Sequence, residues 1–171
     1  MTARILNVSL LIASLGIMGA AQSRPDLSGT WVPVDNVAAQ PPLPPPTPNG
    51  PPPPPPPPRT ISMTIAQSPS QITVDRRADD SGQERVHTFV YSLDGTETVN
   101  HMGVLTFRTR ASWDGDSLVL SSTASAEGNA IGDVKEIYRL VDGNLVVETT
   151  RRAPAGTFTS RTVHARRRER R

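Results

Sequence analysis

The sequence predicts an all-β domain: an antiparallel up-and-down meander that closes into a barrel. Three observations carry that expectation. Asp-Gly recurs at Asp94-Gly95, Asp114-Gly115 and Asp142-Gly143, and this pair suits tight two-residue turns whose central residues need positive φ. The runs flanking each pair alternate apolar and polar residues, the mark of a strand with one buried face. No segment keeps a 3.6-residue apolar period long enough to argue for a helix. About nine such strands follow Arg59, and an open sheet of that size leaves edges and an apolar face unprotected, which closure removes.

Residues 1–21 have the form of an export signal. Arg4 supplies the positive charge, Ile5 through Met18 the apolar stretch, and Gly19-Ala20-Ala21 the small residues of a cleavage site. Cleavage after Ala21 leaves Gln22 as the new N-terminus and sends the chain to the periplasm or beyond the cell; the alternative is a membrane-anchored N-terminus. The chain has no Cys, which excludes a disulfide framework, thiolate chemistry and a thiol-linked lipid anchor.

Residues 22–40 form an N-terminal segment in which Thr30 to Val34 has strand character, with Pro33 confining it to an edge or an end. From Pro41 to Pro58, fourteen of eighteen residues are proline, so this stretch is expected to be a stiff polyproline II spacer. The barrel body occupies 59–165. Its strands are read around Ile61–Ile65, Ile72–Val74, Glu84–Tyr91, Thr96–Asn100, Met102–Ala111, Leu118–Thr123, Asp133–Val141, Leu145–Arg151 and Thr157–His164. Ala124 to Asn129, small and polar, reads as a loop. With aromatics at 4%, the core must rest on Ile, Val and Leu, which suit a pleated surface.

Charge is unevenly placed. From Gln22 to Ser160, eleven Arg or Lys face fifteen Asp or Glu, a balance of −4, whereas from Arg161 to Arg171 six Arg face Glu169 alone, a balance of +5. Residues 166–171 therefore read as a basic, disordered tail that would meet an anionic envelope surface by non-specific attraction. Specific nucleic-acid binding is not expected, since the basic residues lack interleaved aromatics.

Few residues suggest chemistry. His87, His101 and His164 are scattered, without the spacing of a zinc site. Asp114 and Asp116 return at once to the strand beginning at Leu118, unlike a calcium loop. Neither a nucleophile elbow nor a phosphate or dinucleotide loop is present. A non-enzymatic protein without metal or cofactor is the expectation. Phe89 and Tyr91 share one strand face, as do Leu105 and Phe107, and these four are the candidate walls of a ligand pocket.

Ser28-Gly29-Thr30-Trp31 ahead of a many-stranded antiparallel body resembles the Gly-x-Trp opening of lipocalin and related calycin barrels. The ordered set Gly29-Thr30-Trp31, Leu93-Asp94-Gly95, Trp113-Asp114-Gly115-Asp116 and Asp142-Gly143 is similar to exported bacterial lipocalin-like domains. The resemblance implies that Trp31 packs across the closed base of the barrel, with Gly29 completing the motif and Arg152 or Arg161 covering the ring. It also implies a small apolar ligand inside. The sequence departs from that family in its proline spacer, in lacking an evident outer helix, and in lacking the second Thr-Asp-Tyr motif. Two functions therefore stand side by side: an exported binder of a small apolar ligand, and an envelope structural or interaction protein whose barrel is filled.

Overall fold

Strict alternation of side chains builds this molecule strand by strand. In the strand holding Ile72 and Val74, both are buried, while their neighbours Gln71 and Thr73 look outward. The computed structural model describes residues 24–34, 59–80 and 83–167. The expected export signal (1–21), the proline spacer (41–58) and residues 168–171 of the basic tail lie outside the described residues.

Ten strands form one sheet: β1 (Gly29–Pro33), β2 (Arg59–Gln67), β3 (Gln71–Asp80), β4 (Gln83–Ser92), β5 (Thr98–Met102), β6 (Leu105–Asp114), β7 (Ser117–Ala126), β8 (Asn129–Val141), β9 (Asn144–Ala153) and β10 (Gly156–Arg166). Their order is β4-β3-β2-β1-β10-β9-β8-β7-β6-β5, with every neighbouring pair antiparallel. The result is an up-and-down meander in a nearly closed barrel, with no helix among the described residues. β1 sits between β2 and β10, so the first strand joins the two arms of the meander. The two ends of the sheet, β4 and β5, face each other across a seam. One side chain bridges that seam. The buried Asn100 accepts a hydrogen bond from the Val90 N–H at 2.8 Å and donates one to the Val90 carbonyl at 3.0 Å. Its amide thus stands in for a missing rung of backbone ladder.

The turns refine the sequence reading. At Asp142-Gly143 both residues have positive φ, 50° and 78°, as a type I′ turn requires. At Asp114-Gly115 the pair is displaced by one: β6 ends on Asp114, and Gly115 alone takes positive φ. Asp94-Gly95 makes no hairpin. It lies in the link between β4 and β5, where the Asp94 carboxylate accepts from the Ser92 hydroxyl and from the amide and hydroxyl of Thr96. Those three donors hold its pKa down at about 2. The loop expected over Ala124–Asn129 is instead a two-residue turn, Glu127-Gly128, between longer strands. β10 also outruns its predicted end: it continues through Arg166, and the Arg167 amide donates to the Thr30 carbonyl at 2.7 Å.

The core is concentrated at one end, here called the base. Leu27 and Trp31 have 0% exposure, and Met63, Ile65, Ile72, Val74, Leu118, Leu120, Leu145 and Val147 close in around them. Residues 25–28 fold under this end. The Leu27 amide donates to Gln67 Oε1 at 3.0 Å, and Gln67 Nε2 donates back to the Pro25 carbonyl at 3.1 Å.

Candidate functional site

At mid-height the inward faces of two strands each carry one charge. On β3 the inward series is Ile72, Val74, Arg76, Ala78; on β8 it is Val134, Glu136, Tyr138, Leu140. In the ring of ten strands, β3 and β8 stand five places apart in either direction. The two charges therefore meet across the full width of the barrel. Arg76 Nη2 lies 2.6 Å from Glu136 Oε2 and also donates to the Tyr138 hydroxyl, which in turn donates to Glu136 at 3.3 Å. The guanidinium covers the Phe89 ring, 5.0 Å from its centre. This crossbar separates a filled lower half from an upper half in which Leu105, Phe107 and Val134 are only half-buried.

The electrostatics follow from that placement. Burial disfavours the Arg76 cation, but Glu136, Tyr138 and Tyr91 outweigh it and hold its pKa well above the ordinary value. Burial drives the Tyr91 and Tyr138 phenols upward, opposed by Arg76 and reinforced by Glu136, so both stay neutral. His164 is buried on the inward face of β10, and its pKa is lowered by burial, with Arg76 adding to the effect and a backbone hydrogen bond to Leu145 opposing it. Its Nδ1 has no hydrogen-bond partner.

The residues singled out from sequence fall in distinct places. Phe89 and Tyr91 are buried and stack at 6.4 Å, and Phe107 meets Phe89 edge-on at 6.2 Å. Leu105 and Phe107, both half-buried, line the inner wall on the β6 side. Gly29 and Trp31 are at the base, where the Trp31 indole donates to the Leu27 carbonyl at 2.9 Å. The guanidinium over the Trp31 ring, 4.7 Å from its centre, belongs to Arg166. The reason is register: Arg166 is the β10 residue opposite Trp31. A Cβ on Gly29 would lie 3.3 Å from that guanidinium, and Gly29 has φ of 135°, so glycine leaves Arg166 room to reach across. Arg152 is exposed near the far end of β9, and Arg161 points outward, 3.8 Å from Glu148.

Arg76 and Glu136 escaped motif reading because neither belongs to one. Their signal was there: a lone charge on the apolar face of an alternating strand, once on β3 and once on β8. The histidines do not converge. His87 is half-buried on the inner face of β4, and His101 is exposed beside the Thr106 hydroxyl at 3.2 Å. Among the described residues, no group of three or more His, Asp or Glu is placed to hold a metal ion.

Two concavities lie outside the lumen. One, of about 210 Å³, crosses the outer wall at Thr30, Ser62, Thr64, Asp75, Arg77 and Arg167. The other, about 850 Å³ and widely open, lies under the base between Arg24, Gln67, Leu93 and Trp113. No protein-family model matches the chain, and no curated protein matches its sequence.

Proposed function

We propose that this is an exported lipocalin-like protein that binds a small, largely apolar molecule in the upper half of its barrel, polar end down on the Arg76–Glu136 crossbar. One observation carries the reading. Along the inner wall, Ile72, Val74, Leu118 and Leu145 at the base have at most 1% exposure, yet 26% of the Arg76 side chain and 13% of Glu136 remain accessible although protein surrounds them. Leu105, Phe107 and Val134 on the same inner wall are also only half-buried. Apolar walls with a few convergent polar groups are the common make-up of a small-molecule site.

A ligand that binds only the native barrel raises its melting temperature by mass action. The mature chain should therefore be screened by thermal shift against fatty alcohols, quinones and isoprenoids, with Phe107→Asp as the control that loses the response. Export is tested separately, by mass spectrometry of protein from the native host: Gln22 at the N-terminus supports it, an intact Met1 refutes it.

A second reading is favoured by the filled base and by the outer-wall concavity beside Arg77 and Arg167. In it the protein is an envelope structural or interaction protein, whose outer surface and Arg-rich end meet an anionic partner. A panel without any thermal shift, together with salt-sensitive binding to anionic vesicles, selects this reading.

A further inference from the structure

We propose that the barrel selects neutral amphiphiles, alcohols or ketones on an apolar body, over the corresponding carboxylic acids. The inference rests on the ligand-binding reading above and names the chemistry of the ligand's polar end.

The charge of the floor decides which polar head it accepts. A site built to hold an acid presents a cation whose partner is the ligand itself. Here the floor cation, Arg76, is already paired with Glu136 at 2.6 Å and bonded to Tyr138. The pair carries no net charge. An incoming carboxylate that reaches Arg76 arrives beside the Glu136 carboxylate, and like charges brought together away from water are strongly penalised. To bind, it would have to displace Glu136 and leave that charge unpaired inside the protein, which is costlier still.

A neutral head meets no such conflict. A hydroxyl can donate to the Glu136 carboxylate and accept from the guanidinium, and a carbonyl can accept from the guanidinium alone. Among the other groups near the floor, Tyr91 and Tyr138 are held as neutral phenols, and burial disfavours the charged form of His164. His87, half-buried, stands beside Arg76 as its register partner on β4, and Arg85 and Arg151 stand higher on the inner wall. Arg151 and Arg85 are exposed, and Arg85 has Gln83 at 3.5 Å. Solvated charges near the mouth are screened within about 10 Å by ordinary salt, so they steer an approaching ligand more than they select it at the floor.

The test compares two probes of one chain length, 1-decanol and decanoate, by isothermal titration at neutral pH with the mature chain and with Glu136→Gln. The wild type should bind decanol more tightly by about tenfold or more. Glu136→Gln keeps the shape of the side chain but uncovers the Arg76 charge, and it should reverse the order. Decanoate binding as well as or better than decanol to the wild type overturns selection of neutral heads while leaving the pocket standing. If neither probe binds, the ligand-binding reading fails with it. A wild-type preference that Glu136→Gln, folded by circular dichroism, leaves unchanged also overturns the proposal, because the crossbar would then not be its source. Should the variant lose its fold, the wild-type ratio decides alone.

Discussion

Gly132 occupies the one position in β8 where a side chain meets backbone head-on. Its φ is 143°, and a Cβ built there would fall 2.1 Å from the carbonyl oxygen of Arg152. The residue sits where the β7–β8 register slips between Ala124 and Ser125, a bulge that bends the strand. Gly132→Ala should destabilise the protein by about 2–3 kcal/mol through strain and overpacking, read from urea unfolding. A change below about 0.5 kcal/mol would mean that β8 simply moves aside. Burial of His164 makes stability depend on pH. Its folded pKa lies below the ordinary 6.5, so between those values the unfolded chain binds more protons than the native one. Stability should therefore be undiminished above about pH 6.5 and fall as the pH drops through that value. His164→Gln should flatten this slope. Melting temperatures of variant and wild type that stay parallel from about pH 7.5 to 5 would refute the assignment. Arg76 and Glu136 belong here too. Each is legible as a charge on an apolar strand face, but that they face one another is not, because the pairing depends on where two distant strands stand in the ring.

At the scale of elements, the seam between β4 and β5 depends on Asn100. β5 spans only Thr98 to Met102, and the ladder between the sheet ends is replaced by the two bonds from one amide. Asn100→Leu should cost about 2–3 kcal/mol, since it leaves the Val90 N–H and carbonyl without a partner in a partly buried place. Asn100→Asp should cost a comparable amount, because a carboxylate cannot donate to the carbonyl and repels it. Amide hydrogen exchange checks the mechanism: the Val90 amide should lose protection before its neighbours on β3. Retained protection at Val90 would show that the seam closes without Asn100. The hairpins show why turns are harder to place than strands. Period two survives any shift of one residue in the loop, so the alternation in β6 and β7 was readable although the turn at Gly115 is displaced. Glu127-Gly128 was hidden because Ala124, Ser125 and Ala126 are too small to advertise an inward face, yet Ala124 is buried.

For the whole molecule, the decisive contact is the insertion of β1 between β2 and β10. Trp31 sits in that strand with no exposed surface, hydrogen-bonded to Leu27 below and stacked under Arg166. Trp31→Ala should cost about 3–5 kcal/mol, as truncating a large core aromatic does, measured by thermal or denaturant unfolding. Arg166→Gln should cost only about 0.5–1 kcal/mol, the worth of an exposed cation–π contact. A small effect from Trp31→Ala would show that the N-terminal strand is an accessory to a barrel able to close without it. The sequence by itself determined the all-β class, the meander and the nine strands after the proline-rich stretch, because period-two alternation and turn residues are local properties of the chain. It also marked Trp31 through its resemblance to a known barrel opening. The tertiary structure alone decided that Arg166 covers that ring, that Asn100 spans the seam, and that Arg76 meets Glu136 across the barrel. Each of these meetings is set by strand order and register when the sheet curls, which no local pattern encodes.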